Sequence, residues 1–170
     1  MSDEKENSHE ESVKKLAEII KGVKFAMLTT ADKDGTLHSR PMATQNTDAE
    51  FDGTLWFFTK ASAPKVDEID HEHHVNVSYA ETGHQRYASV SGMARLVRDA
   101  AKNNEFWTPA MKAWFPKGPD DPETALLHVD VAKAEYWESA PNPIVVAIGY
   151  VKATLTGKPY RAGDNEKITF

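Results

Sequence analysis

No cysteine occurs anywhere in the 170 residues. That absence excludes disulfides, thiol nucleophiles and thiolate metal sites, and it favours a reducing, cytoplasmic home. Positive charge is also in short supply: 20 lysines and arginines stand against 26 carboxylates, for a net charge of −6. A non-specific nucleic-acid binder needs a basic surface to displace counterions, so the balance argues against that class. No apolar run approaches the length of a membrane span, and the opening MSDEKENSHEES is too polar for a secretory signal. There is no internal repeat and no low-complexity tract. Ser89 and Ser91 lack a G-x-S-x-G elbow and read as a wet strand face rather than as nucleophiles. What remains, 40% hydrophobic and 27% charged residues, suits one folded domain with a real core.

The chain reads as a solvated arm over 1–8, a folded domain over 9–157 and a polar tail over 158–170. Ser8 and Glu11 have capping-box spacing, and Val13, Leu16, Ala17, Ile19 and Ile20 recur at helical intervals up to Gly22. Strands are expected at 23–30, 37–45 and 54–59, as a meander whose first turn is Asp34-Gly35. A short helix follows near 64–70, with Pro64 at the first helical position. Further strands are expected at 75–81 and 87–99, the latter with a bulge or bend at Gly92. Residues 100–116 look helical, broken or kinked at Pro109. Strand patterns return at 125–139 and 143–157. Six or seven strands with few helices predict a mainly β fold, a β-barrel with added helices.

One stretch conflicts with helix electrostatics. The aromatic strand TLWFFT (54–59) opens onto Lys60, Ser62, Pro64 and Lys65, where a helix begins. Lysines at a helix N-terminus oppose the macrodipole, which prefers carboxylates there. A bound anion would resolve the conflict, because backbone N–H groups and ammonium groups would then share one ligand. The bland alternative is a pair of solvated loop lysines. Upstream, Pro41 cannot donate to a ladder, so Arg40-Pro41-Met42 should lie on an edge or interrupt its strand.

The ordered set SRPM (39–42), WFFT (56–59), Lys65 at a helix start and W…AWFPKGPDDP (107–122) resembles the general stress protein branch of the pyridoxamine 5′-phosphate oxidase-like family. The resemblance spans roughly residues 10–150. It implies an antiparallel split β-barrel of Greek-key type and a homodimer with a flavin nucleotide, FMN or possibly FAD, between the subunits. It also implies that Thr59, Ser62 and Lys65 meet the flavin phosphate, at the end of the strand that carries Phe58. By the same resemblance Arg40 and Pro41 lie beside the flavin, Met42 and Ala43 touch the ring edge largely through backbone, and Trp114 walls the cleft. The chain departs from the pattern at Ala63, where the family has serine, at Pro64, where the oxidases have arginine, and at Gln45, where they have lysine. The segment that grips pyridoxal phosphate in the true oxidases has no match in 143–170, so pyridoxamine phosphate oxidation is not expected.

Three functions follow in order: a flavin-dependent oxidoreductase of unnamed substrate, a flavin-binding stress or sensor protein without turnover, and a split barrel for deazaflavin or haem. No catalytic residue and no metal site is assigned. The HEHH run (71–74) puts His71 and His74 three apart, but no third ligand is pinned, and histidines at a helix C-terminus are ordinary. Trp107 is read as packing.

Overall fold

The computed structural model describes residues 2–47, 50–139, 143–156 and 163–170. In chain order its elements are α1 (Ser2–Gly22), β1 (Ala26–Ala31), β2 (Leu37–Met42), β3 (Thr54–Lys60), α2 (Pro64–His71), β4 (His74–Glu81), β5 (Arg86–Val97), α3 (Ala100–Phe106), β6 (Thr124–Glu138), α4 (Pro143–Thr156) and β7 (Asp164–Thr169). A 3-10 turn covers Pro109–Ala113.

The seven strands form one antiparallel sheet in the order β2-β1-β4-β5-β6-β3, with β7 added on β6. The Asp34-Gly35 turn joins β1 to β2: Gly35 has φ +84°, and Asp34 Oδ1 accepts from Thr36 N at 2.8 Å. The expected meander ends there. β3 pairs along its whole length with β6, Phe57 opposite Leu127, and not with β2. The physical reason is burial. Leu55, Phe57 and Phe58 are buried on alternate faces, so β3 needs a neighbour buried on both sides, and Thr124–Val129 of β6 supplies it. The sheet is not closed by a ladder. Its β2 and β3 ends meet only at a Thr44–Phe57 bridge, beside which Gln45 N donates to Trp56 O at 2.8 Å.

α1 lays Leu16, Ile19 and Ile20 against the core, where Leu28, Leu55, Phe57, Val77, Val90 and Leu127 converge. The bulge expected at Gly92 is present as a register shift between Ser91 and Gly92. A Cβ there would sit 2.2 Å from Asp130 O, so only glycine allows β5 to approach β6 so closely.

Four expectations change. α1 starts at Ser2, ahead of the Ser8–Glu11 box. The 100–116 segment is α3 followed by the separate 3-10 turn, so Trp107 and Trp114 do not share a helix face. Residues 143–156 are helical, not a strand. Ala147, Val151 and Leu155 recur every four residues, and that period overrides the β-branched run Ile144-Val145-Val146. The polar tail contains β7, which pairs with β6 from Glu138–Asp164 to Lys133–Thr169 and buries Ile168.

Candidate functional site

β3 ends where β6 begins, Lys60 opposite Thr124. The chain then turns sharply: Ala61 N donates to Glu123 O at 2.9 Å and Ala63 N to Lys60 O at 3.0 Å. Pro64 opens α2, and Ala63 at the N-cap offers no side-chain cap. Lys65 is therefore carried on the uncapped first turn of α2. Its side chain is half-buried, and no carboxylate of the described residues lies within 4.0 Å of its ammonium. Burial, and then the nearby Arg40 charge, push its pKa below the usual lysine value, while Glu68 acts the other way.

Arg40 projects from β2 into a cluster that sequence reading missed. Its Nη1 donates to Thr30 Oγ1 at 2.6 Å and its Nη2 to Glu68 Oε2 at 2.8 Å. Thr30 Oγ1 in turn donates to the same carboxylate oxygen. His38 Nδ1 stands 3.3 Å from Glu68 Oε1. Thr30 and Glu68 are both buried. Burial alone would raise the Glu68 pKa. The hydrogen bonds from Thr30 and Arg40 and the Arg40 charge outweigh it, so the carboxyl is held below its ordinary range. The available signal was the three-residue spacing of Lys65 and Glu68 on α2, one turn apart on neighbouring surface.

Pro41 is exposed on β2 opposite Met27, so the strand continues through it as an edge and is not interrupted. Met42 buries its side chain in the core, which leaves the 40–43 edge to its backbone; Ala43 is half-buried. Thr59 is buried, its hydroxyl donating to Lys60 O at 3.3 Å. Phe58 packs edge-on against Trp107 at 5.9 Å and beside Phe115 at 5.7 Å, on the sheet face away from α1. Ser62 is exposed and held by Glu123 Oε2, 2.6 Å from its Oγ and 3.3 Å from its N. Trp114 is 70% exposed and borders a cavity of about 270 Å³ with Lys60 and Ser62.

The structure thus groups Arg40 with Lys65, and Lys60 and Ser62 with Trp114, on the two sides of one turn. It leaves Phe58 as the floor under the 107–115 segment. Elsewhere, Glu72 Oε1 accepts from His74 N at 2.9 Å and lies 2.6 Å from its Nδ1. Among the described residues no three potential ligands gather around a metal position. Asn76 joins Ser89 and Ser91 in a polar row on the sheet. Buried His128 stacks under Trp56 at 4.3 Å, outside both groups.

The fold and these positions can be set beside known proteins. Residues 11–161 match the family model described as pyridoxamine 5′-phosphate oxidase like. The chain is 31% identical over 159 residues to protein bli-3 of Neurospora crassa, covering 88% of this chain and 76% of that one. Among solved structures, the general stress FMN/FAD binding protein of Xanthomonas citri is 32% identical with a TM-score of 0.63, covering 73% of this chain and 86% of that one. General Stress Protein 26 of Bacillus anthracis is 26% identical with a TM-score of 0.64, covering 73% and 92%. The chain belongs to the general stress protein branch of the pyridoxamine 5′-phosphate oxidase-like family.

Proposed function

We propose that this protein binds a flavin nucleotide, FMN first, with its phosphate at the β3–α2 turn and its ring along the β2 edge. The observation that carries the reading is Lys65: a half-buried ammonium with no carboxylate of the described residues in reach, next to a second cation. Leaving such a group unneutralised costs free energy that a phosphate dianion would return. The residues fit the group. Arg40, Lys60 and Lys65 set three cations against the one buried carboxylate, Glu68. Thr59 and the uncapped first turn of α2 add donors. The Xanthomonas citri relative, named as an FMN/FAD binding protein, supports the same assignment.

Bound flavin supplies hydride or electron transfer, and the protein supplies position and electrostatics. Lys65 and Lys60 would hold the phosphate. Backbone groups of Arg40 to Ala43, on the free edge of β2, would meet the ring edge. Glu68 would fix Arg40 in place and keep its guanidinium from swinging into the phosphate position. Glu68 is already engaged by Thr30, Arg40 and His38, so it is not available as a free acid or base. The substrate-level chemistry therefore rests on the flavin, and we infer a flavin-dependent oxidoreductase of the general stress type.

The reading includes a homodimer. Met27, Leu37, Tyr87 and Met93 are exposed, and a cavity of about 540 Å³ opens on the sheet between Leu37, His74, Met93 and Lys133. A second copy would cover that surface and complete a cleft for the ring.

The test is direct titration. FMN added to the purified protein should bind with a shifted flavin absorption spectrum, and Lys65→Ala should weaken it by about 1.5–3 kcal/mol, the range for a hydrogen bond to a charged group. Unchanged affinity in that variant would remove Lys65 from the phosphate site. A faster NADH or NADPH oxidation by the loaded protein than by free FMN separates an enzyme from a carrier. A haem or deazaflavin spectrum as isolated would replace the flavin altogether.

A further inference from the structure

The cavity on the far side of the turn has its own chemistry. Its volume is about 270 Å³, and Lys60, Ser62, Trp114, Lys117, Asp121 and Glu123 are among the residues that surround it. That is room for a nucleoside and not for a whole dinucleotide. Trp114 is 70% exposed, yet it is not loose: Phe115 beside it packs on Phe58 at 5.7 Å, and Trp114 N donates to Met111 O at 3.0 Å. An exposed indole on a fixed base is a stacking platform for a planar aromatic ligand.

The polar groups around it sort by sign. No carboxylate of the described residues is within 4.0 Å of the Lys60 ammonium. Lys117 has only a loose, exposed pairing with Asp121 Oδ2 at 3.8 Å, which a better anion can displace. Glu123 presents a carboxylate whose Oε2 is anchored by Ser62, with Oε1 facing no recorded donor. Two available ammonium groups suit a diphosphate, and an anchored carboxylate suits a ribose diol. Lys60 and Ser62 belong at once to this cavity and to the turn that leads to Lys65.

We propose that the Trp114 cavity takes the adenosine diphosphate half of a flavin dinucleotide, with adenine stacked on Trp114, the pyrophosphate on Lys60 and Lys117, and the ribose hydroxyls on Glu123. This rests on the flavin reading of the β3–α2 turn. It adds that FAD, not only FMN, is a ligand, and that the segment 114–123 sets the preference between them.

The experiment compares FMN, FAD and ADP by titration against wild type, Trp114→Ala and Trp114→Phe, reading flavin and tryptophan fluorescence. Wild type should bind FAD more tightly than FMN. Trp114→Ala should weaken FAD about tenfold and leave FMN within twofold, because stacking on one base is at stake. Trp114→Phe should recover most of the loss. ADP alone should quench wild-type tryptophan fluorescence and displace FAD. Equal loss of FMN and FAD, or no loss of either, overturns the assignment of the cavity. If FMN fails to bind wild type while ADP still quenches Trp114, the flavin reading falls and the nucleotide cavity stands. If ADP does not quench, the cavity assignment falls whatever FMN does.

Discussion

Arg40 and Lys65 are neighbours in space and opposites in bonding. Arg40 is committed to Thr30 and Glu68 at 2.6 and 2.8 Å, in a cluster whose members are mostly buried. Lys65, on the same helix as Glu68 and near enough to feel the Arg40 charge, has no such partner among the described residues. The difference separates two uses of a cation. A paired one organises the scaffold, and an unpaired one waits for a ligand. The family resemblance assigned both to the flavin. The geometry gives the first to the protein and leaves the second available.

Removing Arg40 should have the largest effect on stability. Arg40→Ala strands a buried carboxylate and should cost about 3 kcal/mol in urea unfolding, the low end for a broken buried pair. Thr30→Val keeps the shape and deletes one hydrogen bond to the same carboxylate, so about 1.5–2 kcal/mol is expected by the same measurement. Lys65→Ala should lie within about 0.5 kcal/mol of wild type in flavin-free unfolding, while showing the loss of FMN affinity stated above. If Lys65→Ala unfolded as easily as Arg40→Ala, the distinction between them would vanish.

The acid limb of stability sharpens the same contrast. The folded Glu68 carboxyl is held below its ordinary value of 4.5. A depressed folded value means that the unfolded chain takes up the proton first. The stabilisation is thus fully present above pH 4.5 and is lost as pH falls through the folded value. Urea midpoints measured downward from pH 5 should fall more steeply for wild type than for Glu68→Gln. Parallel slopes would show that the cluster contributes nothing through its charge.

The legible and illegible parts of the sequence divide along the same physical line. Local signals worked: Asp34-Gly35 turned the first hairpin, Gly92 marked the bulge, and Pro64 opened α2. Strand partnership did not follow from them. The nearest strand to β3 in sequence is β2, yet β6 is its partner, because burial on two faces is settled by a neighbour some 70 residues on, a non-local contact that no window contains. The same limit hid Glu68. Its spacing from Lys65 was visible, but its union with Arg40 depended on β2 reaching α2. Helix α4 was misread for a different reason, since β-branched residues weighed more than a clear four-residue period.

A seam fastened at one stitch lies next to the proposed ring position. Between β2 and β3 the only recorded joins are the Thr44–Phe57 bridge and the Gln45–Trp56 hydrogen bond, whereas every other neighbouring pair of strands is zipped along its length. Parting two backbone contacts takes far less free energy than unzipping a ladder, so this is where the wall would first yield to an entering guest. The Gln45 amide, which the stitch protects, should therefore trade its hydrogen for deuterium sooner than its counterparts in β5, and more slowly once a nucleotide is seated.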